Sequence, residues 1–252
     1  MKKDTSWENV GSWYDKIVGA KGSYYHQSIV FPRSLRLLQL DQAHSVLDLG
    51  CGNGALARHL PKHIQYVGVD LSKDLIKKAQ NYQVKTPAKK RFIVADATQK
   101  LPIQDTFDRA TYILSLQNMD PLQNAIQTAY THLNDGGRLV LVLNHPCFRI
   151  PRQSTWIVNR EKKWQSRCIH AYMQPMKIPI FMRPSAGQEE VTYSFHRSIS
   201  DYTKALSSQG FTILDMEEWV SDKTSTGPLA KMENRARENF PLFLAIVAEK
   251  SR

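Results

Sequence analysis

From residue 45 onward, short runs of β-branched and aliphatic residues alternate with stretches whose apolar positions recur at helical spacing. Residues 45–49 (S-V-L-D-L), 65–70 (Q-Y-V-G-V-D), 91–96 (R-F-I-V-A-D), 107–114 and 137–143 each read as a strand. Helices are predicted from about Ala55, from Ser72 and from Pro121, a residue tolerated in the first helical turn. Asn134-Asp135-Gly136 reads as a stop signal before the fifth strand. Strand and helix in repeated alternation predict an α/β doubly wound fold: a parallel sheet covered by helices on both faces. Before it, aromatics (Trp7, Trp13, Tyr14, Tyr24, Tyr25) and helical spacing over 27–40 predict a helical cap, residues 1–44. The alternation stops at Asn144. It returns with a helix over 200–208, closed by Gly210, a strand from Phe211, and a final run over 242–248 that can pair antiparallel beside its predecessor. Residues 45–146 and 198–252 thus read as the main domain and 147–197 as an inserted lid or substrate subdomain.

Composition narrows the field. A chain of 252 residues, 42% of them hydrophobic, can bury a core without staples and is neither disordered nor fibrous. Cys51, Cys147 and Cys168 are odd in number and unrelated in spacing, which argues against a disulfide framework or a zinc site and fits a reducing compartment, with the cytoplasm as the expectation. No apolar stretch is long enough for a membrane span. A net charge of +11 keeps nucleic acid and anionic membrane surfaces open as partners. The excess is concentrated in 147–197, which holds nine basic residues against three acidic ones, with four prolines and two tryptophans.

The first strand runs into Gly50-Cys51-Gly52-Asn53-Gly54 and then a predicted helix. Glycines let the backbone approach a ligand closely, and the free N–H groups of a helix start favour a negative group. Asp70 closes the second strand, where a carboxylate can accept hydrogen bonds from both hydroxyls of a ribose. An adenosine-containing ligand follows. The loop also satisfies the loose dinucleotide pattern G-x-G-x-x-G/A. Asp48 discriminates: a carboxylate there repels a pyrophosphate but can hold an ammonium. S-adenosylmethionine carries that ammonium and no phosphate. Asp96, after the third strand, adds an acceptor for an adenine amino group, and otherwise reads as an ordinary N-cap.

With V-L-D-L-G-C-G-N-G, Y-V-G-V-D, A-D-A-T, the run F-D-R-A-T-Y-I-L-S-L-Q-N-M and L-N-D-G-G-R-L-V-L-V in this order, the chain resembles the class I S-adenosylmethionine-dependent methyltransferases. Within them it looks most like the small-molecule group, methyltransferase type 11-like, that includes quinone-biosynthesis enzymes. The resemblance implies a Rossmann-like seven-stranded, mostly parallel sheet with the last strand antiparallel. It carries the cofactor role onto Asp48, Gly50, Gly52, Gly54, Asp70, Leu71 and Asp96, with Ala97 backing the adenine, Ser115 under the cofactor and Tyr14 folding over it. The expected activity is methyl transfer to a small, aromatic or lipophilic acceptor.

Methyl transfer from a sulfonium is a direct displacement, so alignment and exclusion of water are the main tasks. If the nucleophile is a hydroxyl, a histidine is the natural base; His145, after the fifth strand, His26 and His196 are the candidates, each with an ordinary packing role as the alternative. No spaced carboxylates or cysteines accompany His145 or His170, so no metal site is expected. The basic, aromatic insertion admits two readings: Arg149, Arg152, Lys162, Lys163 and Arg167 with Trp156 and Trp164 stacked on RNA, or a solvated lid whose Met173, Met176, Phe181 and Met182 line an apolar pocket. The N/D-P-P-Y of adenine amino-methyltransferases is absent after strand four, where Ser115-Leu116-Gln117-Asn118 stands. A small-molecule acceptor is therefore preferred, with RNA methylation or a catalytically silent S-adenosylmethionine-binding protein as alternatives; oligomeric state is not readable.

Overall fold

A computed structural model describes residues 7, 8, 11, 15, 18–83, 90–185 and 188–251. Seven strands form one sheet: β1 (Ser45–Leu49), β2 (Gln65–Asp70), β3 (Lys90–Val94), β4 (Phe107–Ile113), β5 (Leu133–Asn144), β10 (Phe211–Trp219) and β11 (Phe243–Lys250). Their order is β10-β11-β5-β4-β1-β2-β3. The five strands from β5 to β3 pair in parallel, and β11 runs antiparallel to both neighbours. The chain order reverses on either side of β1 and β4, which opens a crevice at their carboxyl ends.

Alternation along the central strands divides the sheet faces. Leu47, Leu49, Leu139, Leu141 and Leu143 face one core with α3 (Leu122–His132) and α4 (Ile199–Ser208). Val46, Tyr66, Val140 and Val142 face the other, covered by a π-turn (His26–Val30) running into α1 (Phe31–Leu38). The expected N-terminal cap is thus a sheet-covering element. Buried Arg109 fastens it by donating to the Leu38, Gln39 and Gln42 carbonyls at the end of α1. The helix after Ser72 is α2 (Lys73–Gln83), where Ser72 Oγ accepts the Leu75 N–H, and Ser198 with Asp201 forms a capping box on α4.

Several elements differ from the sequence expectation. The helix from Ala55 is only a 3₁₀ turn (Leu56–His59): Pro61 forces Leu60 into extended backbone, φ −75° and ψ 146°. Pro121 caps α3 in extended backbone rather than opening it. Asn134-Asp135-Gly136 lies inside β5 as an irregularity, since the register slips between Phe107 and Arg109. A further helix, α5 (Ala230–Asn239), stands before β11. The inserted segment contains two antiparallel hairpins outside the main sheet, β6 (Ser154–Asn159) with β7 (Trp164–Ile169) and β8 (Met176–Ser185) with β9 (Gln188–His196). Among the described residues no helix is long and apolar enough to cross a membrane.

Candidate cofactor and acceptor site

At the carboxyl ends of β1, β2 and β4 lies a cavity of about 350 Å³. After β1 the backbone turns at Gly50, φ 77°, and the Gly50 and Cys51 N–H groups both donate to the Val69 carbonyl, folding the loop over the end of β2. A Cβ at Gly50 would stand 2.4 Å from Ser115 Cβ and 2.9 Å from Met119 Cε, so only glycine leaves this floor open. Ser115 is itself held by donating to the Leu49 carbonyl at 2.7 Å. Gly54 serves differently: it is not a wall residue, and its Cβ would meet the Phe92 ring at 2.6 Å, so its task is packing between loop and sheet.

Asp70 accepts the Gly52 N–H at 2.8 Å on Oδ2 and the Ser72 N–H at 2.9 Å on Oδ1, with the carboxylate in the cavity wall. Burial pushes its pKa up, opposed by these two N–H bonds. Asp96 Oδ1 accepts from both the N–H and the hydroxyl of Thr98 in a local turn, with no helix following for it to cap, and the residue lines the cavity beside Ala97 and Leu71.

Asp48 stands elsewhere. Strand alternation puts it with Val46 beneath the N-terminal cap, outside the cavity wall, where Tyr66 donates to Oδ2 at 2.7 Å and Oδ1 has no partner among the described residues. Burial raises its pKa to about 7. Tyr14 lies outside the described residues; Asp15 accepts the Asn53 side-chain N–H at 2.7 Å, tying that segment to the glycine loop.

Of the three histidines, the structure brings only His26 to the cavity. Burial lowers its pKa to about 4, so its imidazole is neutral at physiological pH, with Nδ1 2.7 Å from Ser23 Oγ and the ring against Phe31. His145 is buried away from the wall: its Nδ1 accepts N–H bonds from Cys147 and Phe148, which leaves the proton on Nε2, donated to Glu218 at 2.7 Å. With both nitrogens engaged it caps the turn after β5. His196 Nε2 donates to the Tyr172 carbonyl at 2.8 Å and likewise stays out of the wall. Among the described residues no group of His, Cys, Asp or Glu could hold a metal.

The wall also contains residues the sequence did not single out: Gln117, Asn118, Met119 and Asp120 after β4, and Asn144 at the end of β5. Their position at or past the carboxyl ends of strands was the available signal. The insertion supplies Pro151, Ile180 and Ser194. Met173, Met176, Phe181 and Met182 do not line the cavity; alternation in β8 turns Phe181, next to the wall residue Ile180, outward. Arg149, Arg152 and Arg167 are spent internally, donating to Asn144, the Pro179 carbonyl and the Phe148 carbonyl.

The residues fit S-adenosylmethionine. Asp70, Asp96 and Asp120 line the cavity, and among the described residues no Lys or Arg does, although Arg197 pairs with Asp120 from behind at 2.9 Å. In a chain of net charge +11 this is a locally acidic pocket, matched to a sulfonium and an ammonium and opposed to a pyrophosphate.

This strand order, glycine loop and carboxylate set define a Rossmann-like methyltransferase fold. Residues 46–137 match the family described as "Methyltransferase domain". A solved S-adenosylmethionine-dependent methyltransferase from Mesorhizobium loti superposes with a TM-score of 0.66 at 23% identity, covering 87% of this chain and 96% of that one. Among curated proteins, the demethylmenaquinone methyltransferase of Porphyromonas gingivalis is 30% identical over 122 residues, 45% of this chain and 49% of that one. Phosphoethanolamine N-methyltransferase 3 of Arabidopsis thaliana is 28% identical over 62% of this chain and 31% of its own. The chain therefore spans about half the length of the first relative, and less of the second.

Proposed function

We propose that the protein is an S-adenosylmethionine-dependent methyltransferase acting on a small, aromatic or lipophilic acceptor, with 147–197 as the lid over its acceptor end. The observation that carries this reading is the acidic, ribose-ready cavity built around Gly50 and Asp70. When bound, S-adenosylmethionine supplies an electrophilic methyl on sulfur. Asp70 takes the ribose hydroxyls, and Asp96 with Ala97 the adenine.

Gln117, Asn118, Asn144, Ile180 and Ser194 surround the acceptor and exclude water, mixing apolar surface with groups that orient a hydroxyl or amine. His26 is the base in this scheme. In the tautomer that donates Nδ1–H to Ser23, the lone pair that receives a proton is on Nε2. The demethylmenaquinone methyltransferase relative agrees with a lipophilic acceptor, and the spent arginines of the lid weigh against RNA. Three free cysteines suit a reducing, cytoplasmic setting.

The test is transfer of labelled methyl groups from S-adenosylmethionine into a cell extract, followed by partition. Label in the organic phase supports a lipophilic acceptor; label released by nuclease supports RNA instead.

A further inference from the structure

The described residues leave large apolar side chains exposed, and six of these lie on the four short strands of the insertion: Trp156, Ile157, Val158, Trp164, Phe181 and Val191. On the β6–β7 hairpin alone, Trp156 is 45% exposed, Ile157 55%, Val158 45% and Trp164 52%. Apolar residues scattered singly on a surface need no explanation, but a hairpin exposing four in nine positions does. Internal contacts cover only part of it: the Trp156 ring meets Phe240 edge-on, and Arg235 lies over Trp164. At the tip between the strands stand Arg160, Lys162 and Lys163, all exposed, against one acid, Glu161.

We infer that the β6–β7 hairpin docks the protein on an anionic phospholipid bilayer. Tryptophans sit well where an apolar body meets polar headgroups, and lysine and arginine stems lie along apolar surface while their charges reach lipid phosphates. The aliphatic share decides between lipid and nucleic acid. Ile157 and Val158 offer no flat face on which a base can stack, whereas acyl chains accept them without preference. Arg152 and Arg167, which a phosphate backbone would need, already hold Pro179 and Phe148 carbonyls. The β8–β9 hairpin repeats the arrangement, with Phe181 paired to Val191 on its outer face while Ile180 and Ser194 wall the cavity. A bilayer at this insertion therefore lies next to the structure that closes the cavity, where a lipophilic acceptor would enter. The docking itself rests on the hairpin alone and holds whether or not the methyl-transfer reading does.

The test is co-sedimentation of the full chain with vesicles of phosphatidylcholine alone and of phosphatidylcholine mixed with phosphatidylglycerol. Binding is expected only to the mixed vesicles, and high salt should weaken it. Each basic residue near such a surface contributes about a fivefold factor, so Lys162→Glu with Lys163→Glu should lower partitioning at least tenfold. Ile157→Asn with Val158→Asn should lower it without changing that salt dependence. Both variants must keep the wild-type melting temperature, which shows that the fold is intact. Trp164 emission should shift to the blue on adding mixed vesicles, read as the difference from Trp164→Phe. Equal binding to both vesicle types, no binding, or full retention by the two double variants overturns the inference. So does tighter, Lys162- and Lys163-dependent binding to an RNA oligonucleotide, or a blue shift with protein concentration alone, which would make the hairpin a contact between copies.

Discussion

Replacing Asp70 by asparagine perturbs the site at its best-defined atom. The substitution keeps the side-chain volume and one acceptor oxygen, but it presents an amide NH2 where the carboxylate accepted an N–H. Either Gly52 N–H, now bonded at 2.8 Å, or Ser72 N–H, at 2.9 Å, then loses its partner. An unmet buried donor costs about 1–3 kcal/mol, a fall in melting temperature of roughly 2–4 °C per kcal/mol for a domain of this size. Ligand binding falls as well. A hydrogen bond from a ribose hydroxyl to a carboxylate is worth about 1.5–3 kcal/mol, so losing the acceptor that becomes NH2 weakens binding roughly tenfold to a hundredfold. The assay is titration calorimetry with S-adenosylhomocysteine, with thermal melting in parallel. Ser72→Ala is the control: it removes the Leu75 N–H acceptor, at 3.2 Å, and costs about 1 kcal/mol of helix stability while leaving affinity unchanged. An Asp70→Asn protein that binds within threefold of the parent would refute the ribose assignment.

Gly50→Ala should abolish binding and lower stability together, because a left-handed φ of 77° costs about 1–2 kcal/mol for alanine and the added carbon lands on Ser115; Gly54→Ala should lower melting through Phe92 with far less effect on saturation binding, and equal behaviour of the two would contradict the division of roles. Asp48 holds its proton more tightly when folded, with a pKa near 7 against 3.8, so its contribution is full in acid and is lost as pH rises between those values, by roughly 4 kcal/mol; Asp48→Asn should flatten that slope in urea titrations across the window. For His26 the sign is opposite: its pKa falls from 6.5 to about 4, so the base stays competent until pH drops through about 4, and a kcat/KM profile breaking near 6.5 would remove it from the mechanism.

What the sequence made legible was local. Val46 to Gly54 carries both the strand period and the turn chemistry of the loop, and Asp70 ends a strand whose register with β1 runs Leu49 to Val69, so these positions could be read from pattern alone. Other features depend on the folded whole. Asp48 was read as facing the ligand, but which face of β1 it occupies is set by the period of two together with the element that covers that face, and the structure seats it under the cap. His26 reaches the cavity from a segment far in sequence from Gln117, through the packing of α1 against the sheet, which spacing does not encode. The α5 helix was missed because A-K-M-E-N-R-A-R-E-N has almost no apolar stripe; only Met232 and Ala236, four apart, turn inward. In the insertion, composition announced a separate element, and the exposure of both faces of β6 hid the alternation that marks a strand.

The central claim is that the cavity around Gly50 and Asp70 is built for a cationic adenosine ligand. Calorimetric titration of the purified chain with S-adenosylmethionine and, separately, with nicotinamide adenine dinucleotide tests it most directly. Saturable binding of S-adenosylmethionine with no heat from the dinucleotide is the expected result; binding of the dinucleotide, or of neither, would contradict it.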